Sequence, residues 1–323
     1  MKWKLYPASK FIEFKDVWDA INISGPNSPV LNSSFAINSI EAFSTGNEHL
    51  AILEEDNRPV SIGIFNKSKF GVWDTFQPSQ APLGLWINNS DSPLNHILRM
   101  LARSLPGLVL KIGITQQDPD IYPRPIMTKR INTLDYIDTA RVTTTECFED
   151  YWSSRSKNLR HNLKRQRNRL AKEDIVTSLK IITKQQDVAN AINNYGLLES
   201  AGWKSESGTA VHPENKQGVF YSTLLQDFCE RNKGFICQYF YNENLVATDL
   251  CIEQNGTFVI LKTTYDEKIK TSSPTFLMRQ EMFELLFQSN QINRIEFYGK
   301  VMDWHTKWSN EVRKLYHLNF RLF

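Results

Sequence analysis

Cysteine is scarce in this chain, with four in 323 residues, at Cys147, Cys229, Cys237 and Cys251. None stands in CxxC spacing and no histidines are arranged near them, so the expectation is reduced thiols, mostly filling core, in a cytoplasmic protein, with no metal. Long apolar runs are missing too. No stretch of about 18 apolar residues occurs, and none follows the amino terminus Met1-Lys2-Trp3-Lys4-Leu5-Tyr6-Pro7, which predicts neither a membrane span nor a secretory leader. A net charge of +3 is too small to argue for nucleic acid by itself. Neither the phosphate-loop pattern nor Gly-x-Ser-x-Gly is present, so a nucleotide-cleaving or serine-hydrolase mechanism has no foothold. Core formers are plentiful instead: hydrophobic residues make up 41%, with 8 Trp, 19 Phe and 11 Tyr, in a chain long enough for two domains of ordinary size.

One order of elements occurs twice. Leu50 to Leu53 and Val60 to Phe65 flank the polar turn 54–59, as Phe235 to Phe240 and Leu245 to Ile252 flank the turn 241–244; each reads as a hairpin. A further apolar run follows each pair, Phe70 to Trp73 and Thr257 to Leu261. Then comes a Ser-Pro dipeptide, Ser92-Pro93 or Ser273-Pro274, which predicts a helix start with serine as cap and proline in the first turn. Strands at Leu108 to Ile114 and Arg294 to Tyr298 close the two series. Side-chain identity between the halves is slight, so the repeat is one of elements. Phe35 to Phe43 predicts a short helix and residues 131–142 a strand, while the prolines of 116–125 break the chain. The seam falls near residues 126–145, giving domains 1–138 and 139–323.

Just past the seam lies the most charged segment, a basic helix over 152–172. Trp152, Leu159, Leu163 and Leu170 fall at helical spacing, while Arg155, Lys157, Arg160, Lys164, Arg165, Arg167, Arg169 and Lys172 fan over the rest with His161. This is either a solvated connecting helix or a surface for an anion such as coenzyme A phosphates, a sugar nucleotide or RNA. Aromatics do not interleave with the charges, which disfavours single-stranded nucleic acid.

Several segments, in order, resemble one family. Trp152 followed by Lys157-Asn158-Leu159-Arg160-His161-Asn162-Leu163-Lys164-Arg165, then Gly202-Trp203-Lys204 with Gly208-Thr209-Ala210, Leu245-Val246-Ala247, Thr264-Tyr265-Asp266 with Ser273-Pro274, and Glu296-Phe297 through Trp304 to Trp308 are similar to the GNAT branch associated with cellulose and exopolysaccharide biosynthesis (CelD/BcsL-like). The resemblance covers roughly residues 147–310. It implies an α/β fold of two tandem GNAT-like units, each a mixed, mostly antiparallel sheet flanked by helices. It also implies an N- or O-acyltransferase using acetyl-CoA or another acyl-CoA, acting on an amino sugar, nucleotide-linked sugar or glycan precursor. The tandem layout is shared with the Fem aminoacyltransferases, which use aminoacyl-tRNA, so tRNA is the alternative partner; a non-catalytic binding module is a third possibility. The chain departs from the pattern at Thr275, where the family has glycine, and at Glu296, Trp304 and His305.

Acyl transfer needs a polarised thioester carbonyl, a route for the acceptor's proton and a cradle for the donor's pyrophosphate. A helix start supplies such a cradle through its unpaired amides. Ser273, Thr275, Phe276, Leu277 and Met278 are therefore expected to bind the cofactor. Asp249 interrupts an apolar strand: it is either solvated on an edge or, if buried, a paired or cavity-lining carboxylate suited to a base. His305 stands between Trp304 and Trp308 as base, phosphate contact or packing group, and Tyr265 as a catalytic group or core. Trp203 and Lys204 sit in a Gly/Ser-rich loop that would line the acceptor site or cover the cleft. Asp266, Lys307 and Arg160 complete the expected substrate contacts, with a turn, a solvated lysine and a solvated helix as their alternatives. The first unit, with Asp91 just before Ser92-Pro93, is expected to be a degenerate half unable to hold pyrophosphate.

Overall fold

The computed structural model describes residues 1–200, 211–212 and 214–323. The chain divides into two compact units, Met1–Thr139 with Arg313–Phe323, and Ala140–Val312. The tail expected in the second unit thus belongs to the first.

Along the first unit run β1 (Lys2–Pro7), α1 (Lys15–Ser24), α2 (Ser33–Phe43), β2 (His49–Glu55), β3 (Arg58–Lys69), β4 (Val72–Thr75), β5 (Trp86–Asn88), α3 (Leu94–Ser104), β6 (Lys111–Gln117) and the start of β7 (Ile131–Thr143). The hairpin β2–β3 turns through Asp56 and Asn57, both at positive φ, the residue types that best tolerate it. Strand order is β1-β2-β3-β4-β6, with β5 on β3. β4 and β6 are parallel, so α3 is the crossover between them. Ile97, Leu98, Leu101 and Ala102 of α3 are buried against Trp3, Leu53, Trp86 and Ile112.

The second unit holds α4 (Phe148–Ser154), α5 (Lys157–Lys172), β8 (Thr177–Ile182), α6 (Gln185–Ser200), α7 (Lys216–Glu230), β9 (Gly234–Tyr241), β10 (Asn244–Gln254), β11 (Thr257–Tyr265), α8 (Pro274–Gln288), β12 (Arg294–Glu296) and α9 (Asp303–Trp308). After it, β13 (Glu311–Arg321) leads back and pairs antiparallel with β6. The order is β8-β9-β10-β11-β12, with residues 141–143 of β7 beyond β12. Only β11 and β12 pair in parallel among these strands, again with a helix, α8, as crossover. The β10–β11 hairpin closes on Asn255-Gly256, both at positive φ, the Asn-Gly signature of a tight two-residue turn. Ser156 caps α5, its hydroxyl accepting from the Leu159 amide at 3.2 Å. The Leu159, Leu163 and Leu170 stripe of α5 is buried with Leu277, Met282 and Phe283 of α8 in one core.

Candidate functional site

β12 pairs with β11 only over Thr257 to Val259, yet β11 continues to Tyr265. The two strands therefore part, and the opening is where α8 begins. β11 also carries a bulge: Leu250 faces Lys262 and Cys251 faces Ile260, so Leu261 has no partner across the ladder. A bulge leaves backbone groups outside the ladder and re-aims the strand. A cleft of about 520 Å³ occupies the opening, lined by Thr263, Tyr265, Lys270, Ser273, Thr275 and Trp304 among others.

The start of α8 is organised differently from expectation. Ser273 is the N-cap residue, but its side chain caps nothing. Its carbonyl accepts from the Phe276 and Leu277 amides at 2.9 and 3.2 Å, and its own amide donates to Gln166 Oε1 at 2.8 Å. Pro274 has no N–H, and the Met278 amide lies inside the helix ladder. Of the amides of Thr275, Phe276, Leu277 and Met278, that of Thr275 alone has no acceptor among the described residues. Leu277 and Met278 turn their side chains into the core, whereas Phe276 lines the cleft and packs on Trp308, centroids 5.5 Å apart.

Below the cleft lies a buried ion pair. Asp249 is on β10, between β9 and β11, and is 0% exposed; the solvated edge-strand reading is therefore wrong. It faces Arg279, 1% exposed, on the second turn of α8. Nη2 of Arg279 is 3.4 and 3.3 Å from the two carboxylate oxygens and donates to Thr263 Oγ1 at 3.0 Å. The guanidinium lies over the Trp304 ring, 4.6 Å from its centroid. An Asp249 held by an arginine and absent from the cleft lining is placed to position that arginine, which removes the geometric case for it as a base. Arg279 itself went unnoticed in the sequence. The available signal was a cation on the same helix face as Met282 and Phe283, matched by an aspartate in an apolar strand.

His305 is 4% exposed and stacks on Trp304 at 3.4 Å. Its Nδ1 accepts from the Met302 amide at 2.9 Å. Burial, helped by the Arg279 cation, pushes its pKa down to about 4, so the ring is neutral near pH 7 and its hydrogen sits on Nε2. With Nδ1 occupied by the Met302 amide and the hydrogen on Nε2, His305 has no lone pair free to take a proton and packs beside Trp304.

Tyr265 lines the cleft with 43% of its surface exposed. Asp266 does not; its carboxylate accepts from the Lys268 amide at 2.9 Å and shapes the turn after β11. Lys307 is exposed, its Nζ 5.5 Å from the centre of the Phe276 ring, at the edge of the site. Arg160 lies elsewhere, beside a second cleft of about 500 Å³ with Lys157, Lys164 and Gln280. Trp203 and Lys204 fall outside the described residues. The basic helix is joined to the loop before α8: Arg169 Nη1 donates to the Thr271 carbonyl at 3.3 Å, and Gln166 holds Ser273 as above. Arg167 pairs with Glu281 at 2.8 Å. Lys157, Lys164, Arg165 and Lys172 are exposed and make no ion pair among the described residues.

Comparison with known proteins places this fold. Residues 157–306 match the acetyltransferase (GNAT) domain. No curated protein sequence matches the chain. Among solved structures, a conserved protein of unknown function from Bacteroides thetaiotaomicron is similar at 12% identity and a TM-score of 0.62, with 99% of each chain covered. FemX is similar at 9% identity and 0.61, over 100% of this chain and 98% of that one. The C-terminal domain of a putative lysylphosphatidylglycerol synthetase from Agrobacterium fabrum follows at 8% and 0.59, over 96% and 92%. At such identities the likeness is one of fold. The architecture is α/β, two GNAT-like units in tandem, each with a mixed sheet flanked by helices, and the second carries the GNAT acyltransferase fold. Among the described residues, no helix is long and apolar enough to cross a membrane.

Proposed function

We propose that the second unit is an acyltransferase whose donor is a coenzyme A thioester, lying in the opening between β11 and β12 with its pyrophosphate at the start of α8. The observation that carries this is the conjunction of parted strands with a free Thr275 amide at a helix start, bordered by Lys270 and the Ser272 and Ser273 side chains. An acceptor amine or hydroxyl attacks the thioester carbonyl carbon, the C–S bond breaks, and coenzyme A leaves as thiolate. Tyr265, exposed at the cleft, is the group placed to protonate that sulfur, while water in the open cleft takes the acceptor's proton. The resemblance of residues 147–310 to the exopolysaccharide branch supports an amino sugar or glycan precursor as acceptor.

Titration with acetyl-CoA tests the donor. Binding should weaken about tenfold in Thr275→Pro, which removes the free amide, and stay near native in Thr275→Ala, which keeps it. Equal affinity in all three proteins would remove the cradle from the account.

A second reading replaces coenzyme A with aminoacyl-tRNA. It is favoured by the unpaired lysines and arginine of α5 and by that helix's bonds to the donor loop. It predicts tRNA binding that falls steeply with salt, and charge-reversed Lys164→Glu/Arg165→Glu should abolish it.

A further inference from the structure

We infer that Arg279 is the group that holds the acyl carbonyl oxygen of the donor, with Asp249 as its positioning residue. The inference rests on the donor reading above and deepens it.

A guanidinium carries five N–H donors in one plane. In Arg279 only Nη2 is engaged, by Asp249 and Thr263; neither Nε nor Nη1 has a hydrogen-bond partner among the described residues, and Nε is fully buried. Unsatisfied donors on a buried charge are costly, and native proteins rarely leave them without a use. The face of the group is covered by Trp304, and the residue lines the cleft. Stacking on an aromatic face leaves the N–H edge free to bond in the plane. The contacts to Asp249, at 3.3 and 3.4 Å, are longer than the 2.7–2.9 Å typical of charge-assisted bonds.

Charge decides which ligand oxygen fits. Asp249 and Arg279 are both buried and together neutral. A carboxylate or phosphate at the free edge would leave a net negative charge beside the fully buried Asp249 carboxylate, which is unfavourable. A neutral carbonyl oxygen adds no charge. As the acceptor attacks, that oxygen becomes negative, and the same N–H groups then hold it more strongly than they hold the ground state. Asp249 keeps the guanidinium oriented and makes its presence in the core tolerable.

Removing Arg279 alone strands the Asp249 charge, so the test uses the neutral pair exchange Asp249→Leu/Arg279→Met. Three ligands are titrated: acetyl-CoA, S-ethyl-CoA, which lacks the carbonyl oxygen, and coenzyme A. The native protein should prefer acetyl-CoA over S-ethyl-CoA about tenfold. The double variant should bind the two alike and coenzyme A as the native protein does. The carbonyl stretch of bound acetyl-CoA, labelled with ¹³C, should lie below its value in water in the native protein and return toward it in the variant. A preference that survives in the double variant, or a native protein with neither preference nor infrared shift, overturns the assignment of Arg279 while leaving the donor site standing. Should the double variant not fold, Arg279→Lys, which keeps the charge and loses the planar fork, takes its place: a preference and infrared shift unchanged from native overturn the assignment. Failure of coenzyme A itself to bind the native protein overturns the donor reading, and the carbonyl assignment with it.

Discussion

The two units build the same strand–helix–strand crossover and finish it in opposite ways. In the first, β4 and β6 stay joined past their last ladder pair: Thr75 and Thr115 share a hydroxyl hydrogen bond of 2.6 Å, and the Thr115 amide donates to Thr75 Oγ1 at 2.9 Å. Gly84 is wedged there, its amide on the Thr115 carbonyl at 3.2 Å. The approach to α3 is occupied as well. Ser90 and Ser92 donate to Glu55 at 2.5 and 3.2 Å, so a carboxylate of the protein itself sits beside the segment where a pyrophosphate would lie. In the second unit β11 outruns β12, the loop before α8 is open, and the helix face that is wholly apolar in α3 carries Arg279 in α8. The fold alone does not make a site. A site appears where the crossover is left unstitched and a charge is built into its floor.

The largest way to break this contrast is at the buried pair. Arg279→Met should cost about 3–5 kcal/mol in urea unfolding, because it leaves Asp249 buried without a counter-charge. Adding Asp249→Leu should recover most of that loss, since it gives the second unit the apolar floor of the first; a double variant no more stable than the single would mean the pair does not act as a unit.

pH offers a second lever on the same wall. The folded pKa of His305, about 4, is below that of a free histidine near 6.5, so the unfolded chain takes up the proton first. Stability present above about pH 6.5 should be lost as pH falls toward 4, by at most about 3 kcal/mol. His305→Phe should flatten that part of the profile, and an unchanged slope would remove His305 as its source.

Gly84 sharpens the comparison from the other side. A Cβ there would lie 2.5 Å from Thr75 Oγ1 and 2.7 Å from the Thr115 carbonyl oxygen. Gly84→Ala should therefore cost about 2 kcal/mol and leave acetyl-CoA affinity within twofold. A loss of binding would tie the first unit to the donor.

The smallest effect is expected on α5. Lys157→Ala and Lys172→Ala should change stability by less than about 0.5 kcal/mol, since both are exposed and neither has an ion-pair partner among the described residues.

Much of the repeat is legible before any coordinates. Alternating apolar runs around polar turns mark β2, β3, β9 and β10, because hairpin signals are local, and the stripe of Leu159, Leu163 and Leu170 marks α5. Other elements carry weaker marks. β8 reads Thr-Ser-Leu-Lys-Ile-Ile and is largely exposed, so its place is set by pairing with β9 and not by its own pattern. β13 from Arg313 onward belongs to the first unit through its pairing with β6, about 200 positions away, which no local signal reveals. At the site, Ser273, Thr275 and Phe276 were found from the helix start and Tyr265 from the family resemblance, and they line the cleft. Arg279 was not, and the roles read for Asp249, His305 and Asp266 shifted, because each depends on a partner brought by folding.

The central claim is that one crossover of the two takes the donor. Hydrogen exchange with and without saturating acetyl-CoA tests it most directly. Protection should rise across residues 261–278 and be unchanged across residues 75–94. Protection of the first unit's crossover, or of neither crossover in a protein shown to bind the ligand, would contradict it.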